Sequence, residues 1–465
     1  MDDLGNSKMD ILGYLKSLSS SLESTAADLA IVLAAGHGRR IKSNTSKMLH
    51  EIWGEPTVAR VAEAAAAGLS SDNQVIVVGI KAKEVAGTVG KRNNRIFAYQ
   101  AEQNGTGHAT RSALEQIPDN DYSGDIHIFP GDMGLLTAEA IRKFKSAFAD
   151  SGCDMMVLTG VYEGNPDENY YGRIVRVPDH DVAGAISGED AGKVIEIKEH
   201  KDILALGEDK KYSVNYNGLT YGFSKQELLE NNEFNTGVFA FKSDHLKVRI
   251  RDLGTNNVQG ELYLTDLIAI FNANGLSVGA VPADDNRTVL GFNTKSVLLE
   301  MNEIACQRVY EQIRNLVAIE NATDFFIAED VVRQIVELDR EKAPVDMFFG
   351  KGAYVGKGVA LNKGVHIGRL AKVSGKVVLG ENVRVGAGVS IFGSNDHPTK
   401  IGNNVIITGR SGIVGCTIED DVLIEESILE CKHIKRIENG NGQVQAVRFV
   451  QPVQQGLDAI SDLEN

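Results

Sequence analysis

Leu33-Ala-Ala-Gly-His-Gly-Arg-Arg40 places two glycines and two arginines directly behind an apolar run, and Lys47 follows seven residues after Arg40. A glycine-rich loop lets backbone N–H groups approach an anion closely. Ala34, Ala35 and Gly36 offer such a backbone, and Arg40 and Lys47 bring two cations to the same loop. Together they could neutralise a triphosphate. The loop is not a Walker loop, because the Gly-Lys-Ser/Thr ending is missing. A purely structural strand-to-helix turn is the plain alternative.

These residues need elements to hold them. Leu29–Leu33 reads as a short buried strand ahead of the loop, Thr57–Ala67 as an Ala-rich helix, and Gln74–Val78 and Ile126–Phe129 as further strands, the last ending at Pro-Gly-Asp. Strands separated by helical patterns imply a largely parallel sheet with helices on both faces. Ligands of such sheets sit at the carboxyl ends of the strands, where the glycine loop and Gly131-Asp132 both fall. Ahead of this domain, Ile11, Leu15, Leu18 and Leu22 form one helical stripe within residues 1–27. That stripe suits a helix docked on the protein's own surface. A partner-binding helix is the sharper alternative.

The α/β pattern runs over residues 28–294 and gives way to a helical linker at 295–345, with helices expected at Val297–Val317 and Ala328–Leu338. Val355, Leu361, Ile367, Val373, Leu379, Val385 and Ile391 then recur every six residues, with a second series (Val359, Val365, Ala371, Val377, Val383, Val389) in step. Ile401, Ile407 and Ile413 resume the period after a longer interval. This is the mark of a hexapeptide parallel β-helix, expected over 346–430, with Phe392–Lys400 protruding as a loop and an aperiodic tail at 431–465.

Composition narrows the function. At 465 residues the chain is long enough for two or three domains. Its net charge of −15 argues against a general nucleic-acid or anionic-membrane binder, though not against one local phosphate pocket. The four cysteines form no CxxC pair and no zinc spacing, which suits a reducing compartment. The acidic start is unlike a signal peptide, and the Leu29–Ala35 run is too short to span a bilayer. A cytoplasmic location is expected.

Several motifs together resemble a known family. Leu33–Arg40 with Lys47-Met-Leu-His50 resembles the L-A-A-G-x-G-x-R…K-x-L-H signature of sugar-1-phosphate nucleotidylyltransferases. Gln100-Ala-Glu-Gln-Asn-Gly-Thr-Gly-His108 resembles the Q-A-E-Q-x-G-T-G-H stretch of the N-acetylglucosamine-1-phosphate uridylyltransferase family. Gly131-Asp132, Tyr171-Gly-Arg-Ile174, Glu199-His-Lys-Asp202, Asn235-Thr-Gly237, Asn257–Glu261, Tyr263–Asp266 and Gly291-Phe-Asn293 follow in the family's order. The resemblance implies that a sugar phosphate oxygen attacks the α-phosphorus of UTP and pyrophosphate leaves, with Mg²⁺ offsetting the phosphate charge. It implies Asp132 and Asn293 as the metal's oxygen ligands and Arg40 and Lys47 as the triphosphate cations. Gln100, Gln103, Gly105 and Thr106 become nucleotide contacts, and Gly172, Glu199 and Asn235 sugar contacts. His50 and His108 receive no chemistry.

Three departures stand out. Gly134 occupies the place where the family usually has proline, two residues after the metal aspartate. Glu199 and Asn235 lie 36 residues apart, farther than in the family, and the excess, roughly Leu204–Glu230, carries Tyr212, Asn215, Tyr216, Asn217 and Tyr221. The acetyltransferase motifs of bifunctional members, G-K-x-S-K-x-x-H-L-x-Y and N-x-G-A-G-T-x-x-x-N-Y-D-G, are not found, so acetyl transfer is not expected. The expectation is a Mg²⁺-dependent homotrimer that makes UDP-N-acetylglucosamine from UTP and N-acetylglucosamine 1-phosphate. The same chemistry on another sugar 1-phosphate or with dTTP, and a catalytically weak regulatory or assembly subunit, are the rivals.

Overall fold

Strand β1 (Leu29–Ala34) is buried along almost its whole length, as a strand covered by helices on both faces must be. In the computed structural model, which describes residues 2–22, 27–36, 38–117, 122–207, 211–341, 344–440 and 442–450, the chain divides into two compact units, Met1–Met301 and Asn302–Asn465.

In the first unit β1 is followed by a small ribbon, β2 (Glu51–Ile52) and β3 (Glu55–Pro56), then β4 (Gln74–Val78), β5 (Arg95–Tyr99) and β6 (Ile126–Pro130). Next come β7 (Met155–Val161), β8 (Arg173–Arg176), β9 (Val194–Lys198), a hairpin of β10 (Tyr212–Tyr216) and β11 (Leu219–Phe223), β12 (Glu233–Phe241) and β13 (Val278–Pro282). The main sheet has the order β13-β7-β12-β6-β1-β4-β5, with β8 and β9 continuing from β12. Neighbours in the β6-β1-β4-β5 half are parallel, and β12 runs antiparallel to both β6 and β7. This is a Rossmann-like α/β sheet. Ala30, Val32, Ile76 and Val78 join the core on one face, and Leu29, Ile31, Val75 and Val77 the core on the other, as the two-residue period of a strand requires.

Helix α1 (Asp2–Leu18) puts the expected stripe to use within its own unit. Leu15 is buried, with Ile11 and Leu18 partly buried on the same core and Leu22 against the other. Ser20 N–H donates to Arg95 O at 2.8 Å, and Phe97 N–H to Ser19 Oγ at 3.0 Å. The docked-helix reading is the one that describes the structure. Helix α2 (Thr57–Leu69) buries Val58, Val61, Ala62, Ala65 and Leu69, a single 3.6-period stripe. It meets α3 (Ala138–Ser151), where a Cβ at Gly68 would lie 2.5 Å from Ile141 Cβ.

The second unit is a left-handed parallel β-helix built on three parallel sheets of six, six and four strands. Inward residues stack in register: Ile319, Phe349, Ile367, Val385, Ile407 and Ile424 on one face, and Ile327, Val355, Val373, Ile391, Ile413 and Leu429 on the second. Leu379, Ile401, Ile418 and Ile434 line the third. Each buried aliphatic side chain contributes about 1.5–3 kcal/mol, so the column of layers supplies the core of this unit.

The limits of the coil differ from those expected. Ala318–Ile319 and Phe326–Ile327, inside the stretch read as a helical linker, already pair with coil strands, and His433–Ile434 pairs beyond residue 430. The helices of that stretch are Lys295–Ile313 and Glu329–Arg340. The extra residues after Phe392 make a tight loop closed by Ser394 N–H to His397 O at 3.0 Å. Part of the expected tail, 451–465, lies outside the described residues.

Candidate active site

The chain leaves β1 toward β4 and β5 and returns to β6 on the opposite side of β1. Such a reversal opens a crevice at the carboxyl ends of the two diverging strands. The glycine-rich loop leaves β1 and Gly131-Asp132 leaves β6, so the two segments border the same crevice. Gly131 N–H donates to Leu33 O at 2.9 Å and ties their bases together.

Three expected residues from distant segments meet here. The Lys47 ammonium donates to the Asp132 carboxylate and to Asn293 Oδ1 at 2.9 Å. The Lys47 and Asp132 side chains are only 10% and 15% exposed. Lys47 Nζ also lies 5.4 Å from the centroid of the Phe292 ring, where a cation–π attraction adds to the pair. The lysine stem lies against Gly38. That residue has φ +58, and a Cβ there would come within 2.7 Å of Lys47 Cβ, so conformation and space both demand glycine.

Gly36 is different. It is exposed, its φ is not positive, and a Cβ would meet nothing within 4 Å. No demand of the described protein requires glycine at this position. An anion drawn close to the backbone would. Arg40 stands exposed on the 3₁₀ turn Arg39–Ile41, and the structure does not bring it into the Lys47–Asp132–Asn293 group.

The Gln100–Thr106 segment folds into a second wall. Gln100 is buried, and its Nε2 donates to Gly105 O at 3.1 Å. Gln103 Nε2 donates to Gln100 O at 3.2 Å. It also lies 2.8 Å from the place a Cβ of Gly79 would take, next to Ala35 O. Gly105 has φ +97 and would crowd Leu262 O at 2.5 Å if it carried a Cβ. Thr106 opens the helix Thr106–Leu114, and its hydroxyl accepts from Leu264 N–H at 3.1 Å. That bond fixes the 262–264 segment. His108 Nδ1 sits 3.0 Å from Glu102 O and 3.1 Å from Gln100 Nε2, tying the first turn of this helix to the Gln100–Glu102 segment.

Gly172, Glu199 and Asn235 also come together. A Cβ at Gly172 would lie 3.2 Å from both Glu199 carboxylate oxygens, and Asn235 N–H donates to Gly172 O at 2.8 Å. Buried Arg173 holds this turn by donating to Asn169 O at 2.8 Å and Asn169 Oδ1 at 3.0 Å. Burial, with Asp202 and Asp266 close by, pushes the Glu199 carboxyl up to about 7, while a weak bond from Thr265 Oγ1 at 3.4 Å pulls the other way. Near neutral pH that carboxyl can both donate and accept, as a hydroxyl ligand would use.

The departures from the family's pattern are accommodated. A Cβ at Gly134 would lie 2.8 Å from Ile52 Cδ1 and 3.0 Å from Thr57 Cγ2. The ribbon and the start of α2 thus fill the space a proline ring would take. The inserted β10–β11 hairpin buries Tyr221 with Val175, Val177, Ile195, Ile203 and Leu228. Its Tyr212 hydroxyl donates to Glu196 at 2.6–2.7 Å, on the strand that leads to Glu199.

Two contributors were quoted in motifs but given no role from sequence. Phe292 lies beside Lys47, and Tyr171 stacks on Phe234 at 4.4 Å while its hydroxyl donates to Gly291 O at 3.3 Å. An aromatic residue immediately beside a glycine in each motif was the available signal.

The oxygen donors suit a hard dication, since a carboxylate and an amide carbonyl converge on one cationic atom. Among the described residues, no group of three or more His, Cys, Asp or Glu is placed so that it could hold a metal ion, so phosphate and water oxygens would have to complete a metal's shell. Among the described residues, no helix is long and apolar enough to cross a membrane.

Residues 30–178 match the MobA-like NTP transferase domain. The chain is 34% identical over 305 residues to the bifunctional protein GlmU of Acetivibrio thermocellus, covering 65% of this chain and 57% of that protein. It is 30% identical over 406 residues to the bifunctional protein GlmU of Corynebacterium aurimucosum, covering 84% and 72%. Against the bifunctional protein GlmU of Lactobacillus delbrueckii subsp. bulgaricus it is 30% identical over 401 residues, covering 86% and 68%. In the Acetivibrio comparison the match spans little more than half the length of the relative.

Proposed function

The chain belongs to the family of the bifunctional GlmU proteins, and from that premise we propose that it is a sugar-1-phosphate nucleotidylyltransferase that forms UDP-N-acetylglucosamine and pyrophosphate from UTP and N-acetylglucosamine 1-phosphate. The observation that carries this reading is the convergence of Lys47, Asp132 and Asn293 at the switch point of the sheet.

In this reading residues 28–294 perform the chemistry. Backbone groups of Ala34, Ala35 and Gly36 approach the triphosphate, and Arg40 and Lys47 neutralise it. Gln100, Gln103 and Gly105 border the base. Gly172, Glu199 and Asn235 hold the sugar, with the Glu199 carboxyl donating a hydrogen bond to a sugar hydroxyl or accepting one from it. Thr106 acts through the bond that fixes Leu264. Asp132 and Asn293 would hold Mg²⁺, which when bound supplies charge neutralisation on the phosphates. The transfer itself is positioning and electrostatics: the sugar phosphate oxygen attacks the α-phosphorus in line with the departing pyrophosphate.

A second sugar remains a specific reading. The β10–β11 hairpin reaches Glu196 through Tyr212, close in sequence to Glu199, so another sugar 1-phosphate is the alternative acceptor. We further propose that the coil assembles the protein as a homotrimer. Val378, Phe392, Ile406, Val414 and Ile428 are exposed on its outside, and burying apolar faces against two copies would stabilise a thin prism. A pyrophosphate-release assay across a panel of nucleotides and sugar 1-phosphates tests the chemistry. Release confined to UTP with N-acetylglucosamine 1-phosphate supports the full reading, and release with another sugar alone supports the alternative.

A further inference from the structure

We propose that the Lys47 ammonium occupies the divalent-cation position of the free protein and surrenders it when a metal–nucleotide complex arrives. This rests on the reading of Asp132 and Asn293 as the metal's ligands. Both ligand oxygens are engaged by one atom, Lys47 Nζ. The group is largely withdrawn from solvent, so a dication and an ammonium at the same two oxygens would repel strongly. Only one cation can be there.

The surroundings restrict which cation yields. The Lys47 stem lies so close to Gly38 that a Cβ there would meet Lys47 Cβ at 2.7 Å, and Phe292 flanks the ammonium, so the stem is held against the loop and the flexible end is what moves. The glycine-rich loop lies against that stem. A displaced ammonium therefore stays beside the loop that receives the phosphates. A metal ion alone gains one carboxylate and one amide oxygen and must leave the Lys47 charge without a partner. A metal–nucleotide complex brings further oxygen ligands for the ion and an anionic partner for the lysine. Metal and nucleotide binding are then positively coupled, and by linkage the coupling is mutual. Lysine exchange thus keeps the free protein from taking up the ion in an unproductive geometry.

The test uses the full chain with Mn²⁺ as a hard-oxygen probe, followed by electron paramagnetic resonance, and α,β-methylene-UTP as a nucleotide that does not react. Wild-type protein is expected to bind Mn²⁺ weakly alone and at least about tenfold more tightly with the analogue, the scale of a typical coupling between sites. Lys47→Met should bind Mn²⁺ alone at least about tenfold more tightly than wild type, because the competing charge is gone. Adding Asp132→Asn should abolish that gain. Circular dichroism and Trp53 emission check that each variant is folded. If Lys47→Met binds Mn²⁺ no better than wild type, while Asp132→Asn still removes the ion from the nucleotide complex, the exchange is refuted and the metal site stands. If Asp132→Asn leaves Mn²⁺ binding in the nucleotide complex unchanged, the metal assignment falls and the exchange with it. Equal Mn²⁺ affinity of the wild-type protein with and without the analogue refutes the exchange without recourse to any variant.

Discussion

Asp132→Asn separates the structural and chemical duties of one carboxylate. The amide keeps the shape and one carbonyl oxygen but removes the charge that faces Lys47. Lys47 is then a nearly buried ammonium whose oxygen partners, Asn293 Oδ1 at 2.9 Å among them, carry no charge. Breaking a fully buried pair costs about 3–5 kcal/mol. The Lys47 and Asp132 side chains retain 10% and 15% exposure, and the substituted amide can still accept, so about 1–3 kcal/mol is the expected loss. The activity loss should be larger. Removing one preorganised group that stabilises transition-state charge lowers kcat about 10²–10³-fold. The chain has one tryptophan, Trp53, buried in the first unit, so its emission during urea unfolding reports that unit's stability. Initial rates of pyrophosphate release report the chemistry. A variant as stable as wild type and within about threefold of its rate would refute the assigned roles of both Asp132 and Lys47.

Other perturbations probe separate links. Gly38→Ala should cost about 1 kcal/mol or more from its left-handed backbone and displace Lys47, lowering both the urea midpoint and the rate; unchanged values for both would contradict the contact. His127 is fully buried with neither ring nitrogen hydrogen-bonded, and burial holds its pKa down at about 3. The unfolded state gains that proton near pH 6.5, so wild-type stability falls relative to His127→Leu as pH drops from about 6.5 toward 4, by at most about 1.4 kcal/mol per pH unit. Glu199 and Asp266, raised to about 7 and about 6, contribute the opposite slope in both proteins, so the difference between the two urea titrations isolates His127, and a flat difference would disprove its role. Light scattering at micromolar concentration should give a trimer for the full chain, and a monomer would overturn the proposed assembly.

Much of the fold could be read from the chain. The strands at Leu29, Gln74 and Ile126 were visible because fully covered parallel strands are continuous apolar runs. The coil from Val355 to Ile391 was visible because each layer repeats one inward residue every six. The coil's ends were hidden where that arithmetic breaks. Two-residue strands at Ala318 and Phe326 are separated from the next layers by the helix Glu329–Arg340, and the spacing shortens from Ile407 to Ile424. At the site, the chemical types of Lys47, Asp132 and Asn293 were legible, but not their meeting. It joins positions 85 and 246 residues apart and depends on β6 returning beside β1. The hairpin's bond from Tyr212 to Glu196 was equally hidden: Tyr212–Tyr216 alternates as a strand does, but nothing in that local pattern says which neighbouring strand its hydroxyl meets.

The most direct test of the central claim follows pyrophosphate and nucleotide-sugar formation together, using the full chain with UTP, N-acetylglucosamine 1-phosphate and Mg²⁺. The account expects the two products in equal amounts, with both lost on chelation of the metal and in a folded Asp132→Ala variant. Failure to release pyrophosphate with any nucleotide and sugar 1-phosphate in the panel, or full turnover by Asp132→Ala, would contradict it.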